Sequence, residues 1–117
     1  MRAYCLDKPG AWADQPWEND HVAKVGPKIF AFMGDETVTL KCGRTRDEAD
    51  EWLDRYPGDV RVAPYIGRSG WNVLRIDGAI PEDELIDAVD ASYDLVVSKL
   101  PKRDRPPGWT PPATSSR

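Results

Sequence analysis

The sequence predicts an α+β fold in which helices cover one face of a mostly antiparallel, five-stranded sheet, giving two layers. Two segments carry apolar residues at helical spacing, whereas several others alternate apolar and polar residues as strands do. The connections between the strands are short, which favours antiparallel hairpins over parallel crossovers. The expected order of elements is α-β-β-β-α-β-β-α, beginning with a short helix over residues 2–8.

Three strands are expected in the first half of the chain. Residues 37–42 alternate most clearly between apolar and polar side chains. The aromatic-rich residues 28–33 precede them across a glycine-containing turn, which indicates a hairpin. A shorter strand over residues 21–25 is expected before these two, because Gly26-Pro27 is a turn dipeptide.

A helix is expected over residues 45–56, where apolar side chains recur at helical spacing. Thr45 followed by Glu48 fits a capping box at its start, and Pro57 follows its end. The 31% of charged residues are unevenly placed, and acidic residues dominate this segment. The helix is therefore expected to carry an acidic outer face.

Two further strands and a long helix are expected in the second half. The strands are residues 60–66 and 71–76, and Pro64 confines the first of them to an edge or an irregular ladder. The helix covers residues 81–100, with Pro81 at its first position and acidic residues in its first turn. Both acidic segments of the chain are thus predicted to be helices.

The chain is expected to form a single domain over residues 1–101, followed by a disordered tail over residues 102–117. A length of 117 residues suits one domain of ordinary size. The tail is rich in proline, and Trp109 is almost its only large apolar residue.

Composition argues against most enzymes, and we expect neither a catalytic centre nor a metal or cofactor. His21 is the only histidine, which excludes sites that need two imidazoles. Cys5 and Cys42 lie in no metal-binding spacing, and we expect both to be reduced thiols. No segment reaches the roughly 20 apolar residues of a membrane span. The N-terminus lacks the pattern of a signal peptide. We therefore expect a cytoplasmic protein with no membrane partner.

Basic residues collect on the predicted strands and hairpins, although the net charge is −4. If the acidic helices cover one face, the opposite face and its loops are locally positive and suited to phosphate contacts. The alternative is that these residues protect exposed strand edges and keep the protein soluble. The candidate nucleic-acid-binding residues are Lys24, Lys28, Lys41, Arg44, Arg68 and Arg75, with Trp71 shaping the surface.

Several short blocks of sequence resemble the MmcQ/YjbR family in order and spacing. The blocks include His21-Val22-Ala23-Lys24-Val25, Val38-Thr39-Leu40-Lys41-Cys42, Trp71-Asn72-Val73 and Ser92-Tyr93-Asp94-Leu95-Val96-Val97. The resemblance covers residues 1 to about 103. It implies a small two-layer α+β domain and a DNA-binding function.

These observations lead to two expectations about function. The first is a non-enzymatic protein that binds double-stranded DNA weakly and with little sequence preference. The alternative is a chaperone-like module that binds a protein partner through its sheet face or edge strand. The sequence favours no particular oligomeric state.

Overall fold

A computed structural model of the protein describes residues 1–18 and 20–111. In these residues three α-helices and six β-strands form one α+β domain. The elements in chain order are α1 (Arg2–Leu6), β1 (Ala11–Trp17), β2 (Asp20–Val25), β3 (Lys28–Met33), β4 (Thr37–Lys41), α2 (Arg46–Arg55), β5 (Val60–Val62), β6 (Trp71–Arg75) and α3 (Glu82–Ser98).

The six strands form one sheet in the order β1-β2-β3-β4-β6-β5, and every pairing within it is antiparallel. β6 therefore lies between β4 and β5, and β5 is an edge strand. The predicted strand over residues 60–66 ends at Val62, so Pro64 lies outside it. The predicted fold class, an α+β domain with an antiparallel sheet and helices, is confirmed.

The prediction of five strands was wrong, because β1 was not expected. The order of elements is α-β-β-β-β-α-β-β-α. β1 is an edge strand with small alanines on one side, and its pairing with β2 shifts register between Asp14 and Trp17. Pro16 lies within that irregular stretch. Period-two alternation is consequently weak, and the segment does not look like a strand in sequence.

The hydrophobic core lies between the helices and one face of the sheet, here called the covered face. Tyr93 of α3 packs edge-on against Phe30 of β3, with ring centroids 5.2 Å apart. The buried Ser92 hydroxyl donates to the Phe30 carbonyl at 2.7 Å and accepts from the Lys41 backbone N–H at 3.0 Å. These contacts fix α3 across the middle of the sheet.

The segment after α3, which includes the first residues of the predicted tail, lies against the domain. A 3₁₀ helix spans Lys102–Asp104, and Pro106 is buried. The indole N–H of Trp109 donates to an Asp94 carboxylate oxygen at 3.0 Å, and the ring packs against the core. These contacts offset the conformational entropy that is lost when the segment becomes ordered. The loss is smaller for a proline-rich chain, because proline already restricts the unfolded state. The rest of the predicted tail, residues 112–117, lies outside the described residues.

Candidate nucleic-acid interface

The face of the sheet opposite the helices, here called the open face, carries Lys24, Phe32 and Trp71. Phe32 lies opposite Thr39 in β4, whereas the neighbouring Met33 belongs to the covered face. Strand alternation therefore separates the core residues from a second set of side chains, which none of the helices in the described residues covers.

Five of the six predicted cations lie at one end of the sheet, here called the basic end and comprising Lys24, Lys28, Lys41, Arg44 and Arg68. In an antiparallel sheet, the end of one strand lies beside the start of the next. β2 ends and β3 begins at this end, as do the end of β4 and the start of β6. Trp71 lies there as well, paired with Lys41.

Gly70 joins the two loops that carry Arg44 and Arg68. Its φ of +94° is in the left-handed region, and its carbonyl accepts the Cys42 N–H at 2.7 Å. A Cβ on Gly70 would lie 2.3 Å from the Gly43 carbonyl oxygen, so only glycine permits this approach. The two arginines are thus brought to the same end although 24 positions separate them.

Arg75 lies at the opposite end of the sheet, away from the other five predicted cations. It pairs with Thr37 across the strands and forms a 2.8 Å ion pair with Asp77. The hydrogen bond from Arg75 to that carboxylate raises the pKa of the Arg75 guanidinium. Glu36, Asp59 and Arg61 line a hollow beside Arg75. With Asp77, the carboxylates there outnumber the two arginines, so the surroundings of Arg75 carry a net negative charge.

Two cations of the basic end have partners within the domain. The Lys24 ammonium lies 2.8 Å from an Asp14 carboxylate oxygen and 5.1 Å from the centre of the Trp12 ring. That contact lowers the pKa of Asp14. The Lys41 ammonium donates to the Ser69 carbonyl. Burial and the positive charge of Lys99 lower the pKa of Lys41.

The other three cations, Lys28, Arg44 and Arg68, are exposed. Among the described residues, no ion pair includes any of the three side chains. Contact with an anionic ligand should therefore cost these three side chains less desolvation free energy than it costs Lys24 or Lys41.

An aromatic hollow of about 360 Å³ lies on the open face beside the basic end. Phe32 and Trp71 meet edge-to-face within it, with ring centroids 5.8 Å apart. Its lining is completed by Pro16, Trp17, Lys24, Pro27, Lys28, Ile29 and Ile66. The hollow thus combines an apolar interior with two lysines.

The loop between β5 and β6 supplies Ile66 to the aromatic hollow, and Arg46 anchors this loop. The Arg46 guanidinium donates to the Gly67 carbonyl at 2.7 Å, to the Asn72 side-chain oxygen and to Asp50 at 2.8 Å. Asn72 is buried and donates to the Ala49 carbonyl at 2.9 Å. Arg46 belongs to the same basic segment of the sequence as Arg44, but its role here is internal.

Tyr65 projects from this loop and is fully exposed. Its φ is +69°, and the Ile66 N–H donates to the Pro64 carbonyl at 2.7 Å, which makes a three-residue turn around it. A bulky residue with positive φ is uncommon and strained. The surrounding loop holds the aromatic side chain in solvent at a conformational cost.

The predicted site residues include neither Trp12, Trp17 nor Tyr65: the sequence places Tyr65 only near the positive surface and favours core or rim packing over base stacking for Trp17. Trp12 is 45% exposed and Trp17 is 57% exposed, although tryptophan is usually well buried. The available signal was the position of both tryptophans in a segment with no apolar periodicity, where neither could belong to an amphipathic element.

The two thiols and the imidazole of His21 have different surroundings. Burial raises the pKa of Cys42 to about 12 and that of Cys5 to about 11, so neither thiol is a thiolate near neutral pH. His21 is exposed on β2. Within residues 1–18 and 20–111, no three His, Cys, Asp or Glu side chains are grouped to hold a metal ion. In the same ranges, no helix is long and apolar enough to span a membrane.

A family model and two relatives match most of this chain. The family model named YjbR matches residues 6–95. The uncharacterized protein YjbR of Escherichia coli K12 is 34% identical over 109 residues, covering 87% of this chain and 88% of that protein. The O157:H7 strain has a relative with the same identity and coverage.

Two solved structures resemble the fold. A crystal structure of Deinococcus radiodurans protein DR2400, described as a DUF419 domain, superposes with a TM-score of 0.77 at 21% identity, covering 88% of this chain and 80% of that one. A Pseudomonas syringae protein gives a TM-score of 0.64 at 17% identity, with 80% and 92% covered. At these identities the likeness establishes the fold alone.

Proposed function

This chain belongs to the YjbR family, and we propose that it is a non-enzymatic protein that binds DNA weakly, with little sequence preference, through the basic end of its sheet. The observation that carries this proposal is the convergence of Lys24, Lys28, Lys41, Arg44 and Arg68 from separate elements onto one end. Convergence of this kind concentrates positive potential in a protein whose net charge is −4.

The number of available cations sets the expected strength. Lys28, Arg44 and Arg68 have no ionic partner among the described residues, so about three phosphate contacts are expected. Each contact contributes roughly −0.9 to the slope of log affinity against log salt for duplex DNA, which gives a slope of about −3. Dissociation constants of about 10⁻⁴–10⁻⁶ M are typical of such binding.

The test is a fluorescence-anisotropy titration of labelled DNA with the full chain, repeated across a range of salt concentrations. Lys28→Ala or Arg68→Ala should weaken binding to all sequences alike and reduce the salt slope by about one. Arg75→Ala is the matched control, because it removes one positive charge at the opposite end of the sheet, where Asp77 already neutralises it. Equal effects of Arg68→Ala and Arg75→Ala would contradict the localisation to the basic end.

A protein partner bound through the sheet is the second candidate. Its support is the exposure of Trp12, Trp17 and Tyr65, because large exposed aromatic side chains are enriched where proteins meet. If the folded protein binds no nucleic acid even at low salt, this candidate replaces the first.

A further inference from the structure

We infer that the nucleic acid bound here is single-stranded, with a base seated in the aromatic hollow of the open face. This inference rests on the proposed function and adds the form of nucleic acid that the site takes. The observation behind it is that aromatic residues and unpaired positive charge meet at the same place, since Lys28 belongs both to the basic end and to the wall of the aromatic hollow.

The shape and lining of the aromatic hollow suit a flat, uncharged ring. Its volume of about 360 Å³ falls within the roughly 300–1,000 Å³ of small-ligand pockets. Phe32, Trp71 and Trp17 present aromatic surface to it from β3, β6 and β1. The flat surface of a base gains stacking contact with these rings, whereas a phosphate placed against the rings themselves would lose hydration.

The lysines that line the hollow are positioned to contact the phosphate of a bound nucleotide. Lys28, which is exposed, and Lys24 line the same hollow as the aromatic rings. A nucleotide with its base inside would therefore have its phosphate beside Lys28, for which the described residues provide no ionic partner. The apolar interior suits the base of a nucleotide, and the cationic edge suits its phosphate.

A duplex cannot use the aromatic rings in this way. Its bases are stacked on one another and expose only their edges in the grooves, so no base surface is available to Trp17 or Trp71. Single strands present unstacked bases, and aromatic side chains next to a positively charged groove are the usual means of holding them. Trp17 is 57% exposed, and so its ring already has free surface for a base.

The experiment compares a labelled oligothymidylate with a duplex of equal length, titrated with the full chain at low salt. We expect the single strand to bind more tightly. Trp17→Ala should weaken single-strand binding roughly 5- to 150-fold, the effect of losing one stacked base, and should leave duplex binding within about twofold. Trp17→Phe should restore much of the loss, because it retains an aromatic surface.

Tyr65→Ala is the matched control. Tyr65 is a fully exposed aromatic residue, but it does not line the aromatic hollow. Its replacement should leave single-strand binding within about twofold. Circular dichroism of each variant verifies that the fold is retained.

The possible failures are distinguishable. If the duplex binds as tightly as the single strand and Trp17→Ala changes neither affinity, the inference is overturned while the proposed function stands. If neither nucleic acid binds, both are overturned. Self-association that disappears in Trp17→Ala, without nucleic-acid binding, would assign the aromatic hollow to a second copy of this chain and also overturn the inference.

Discussion

The two faces of the sheet use the same kinds of residue for different purposes. On the covered face, Phe30 meets Tyr93 edge-on, and both rings are almost completely buried. On the open face, Phe32 meets Trp71 in a similar edge-to-face arrangement, but no helix covers the pair. Aromatic pairing thus stabilises the domain on one side and leaves ring surface exposed on the other.

The polar side chains of the two faces also differ in whether their partners lie inside the domain. Buried polar side chains of the covered face, such as Ser92 and Asn72, have their hydrogen-bond partners inside the domain. The open face ends in Lys28 and Arg68, for which the described residues provide no ionic partner. The comparison teaches that buried contacts collect on the covered face and exposed rings and cations on the open face, so substitutions on the two faces should affect different measurements.

The largest expected effect is that of Tyr93→Ala on the covered face. Tyr93 is 2% exposed, and its hydroxyl donates to the Pro9 carbonyl at 2.5 Å. Removing the ring should lower the free energy of unfolding by about 3–5 kcal/mol, because a large cavity forms in the core. Urea denaturation measures this change. Tyr93→Phe is the control and should lose only about 1 kcal/mol for the hydrogen bond.

Asn72→Ala tests the polar part of the covered face. The Asn72 side chain links Arg46 of α2 to the Ala49 carbonyl, and both groups would lose a partner. We expect a loss of about 2 kcal/mol, because leaving polar groups unsatisfied costs about 1–3 kcal/mol. Thermal and urea melts report this loss. An unchanged stability would show that water replaces the amide and that the network does not fix α2.

Trp109→Ala tests how much the segment after α3 contributes to the stability of the domain. The half-buried ring packs against the core, and its N–H reaches the Asp94 carboxylate at 3.0 Å. We expect a loss of about 1 kcal/mol in the free energy of unfolding, which is the typical net contribution of one hydrogen bond to stability. A chain ending at residue 101 should melt several degrees lower. An unchanged melting temperature would show that the segment after residue 101 contributes nothing to stability.

The fold was predictable to the extent that apolar periodicity is strong. The strands around Val38 and Phe30 and the helices around Ala49 and Val89 bury one side, so their alternation or stripe appears in the sequence. β1 has little to bury beyond alanine, and its irregular pairing hides the period. Residues 63–70 were assigned partly to a strand, because a turn stabilised by the distant Arg46 has no local signature.

The candidate site was predictable by residue type but not by placement. Lys24, Lys28, Lys41 and Arg44 follow from the charge of one segment, and Arg68 joins them through the contact of Gly70 with Gly43. Arg75 was grouped with them because it lies in a basic segment, yet register places it beside Thr37 at the other end. Only strand pairing over long sequence distance decides which charges are neighbours.

Trp17→Ala, the same change that should weaken single-strand binding, should have the smallest effect on stability. Its ring is 57% exposed, so truncation removes little buried area and leaves no closed cavity. We expect the free energy of unfolding to change by no more than about 0.5 kcal/mol, as for most surface substitutions. Urea denaturation beside Tyr93→Ala provides the direct comparison. A loss of 2 kcal/mol or more would mean, by the cavity argument, that the open face is a second core, and the division of the sheet into a stabilising face and a binding face would then be wrong.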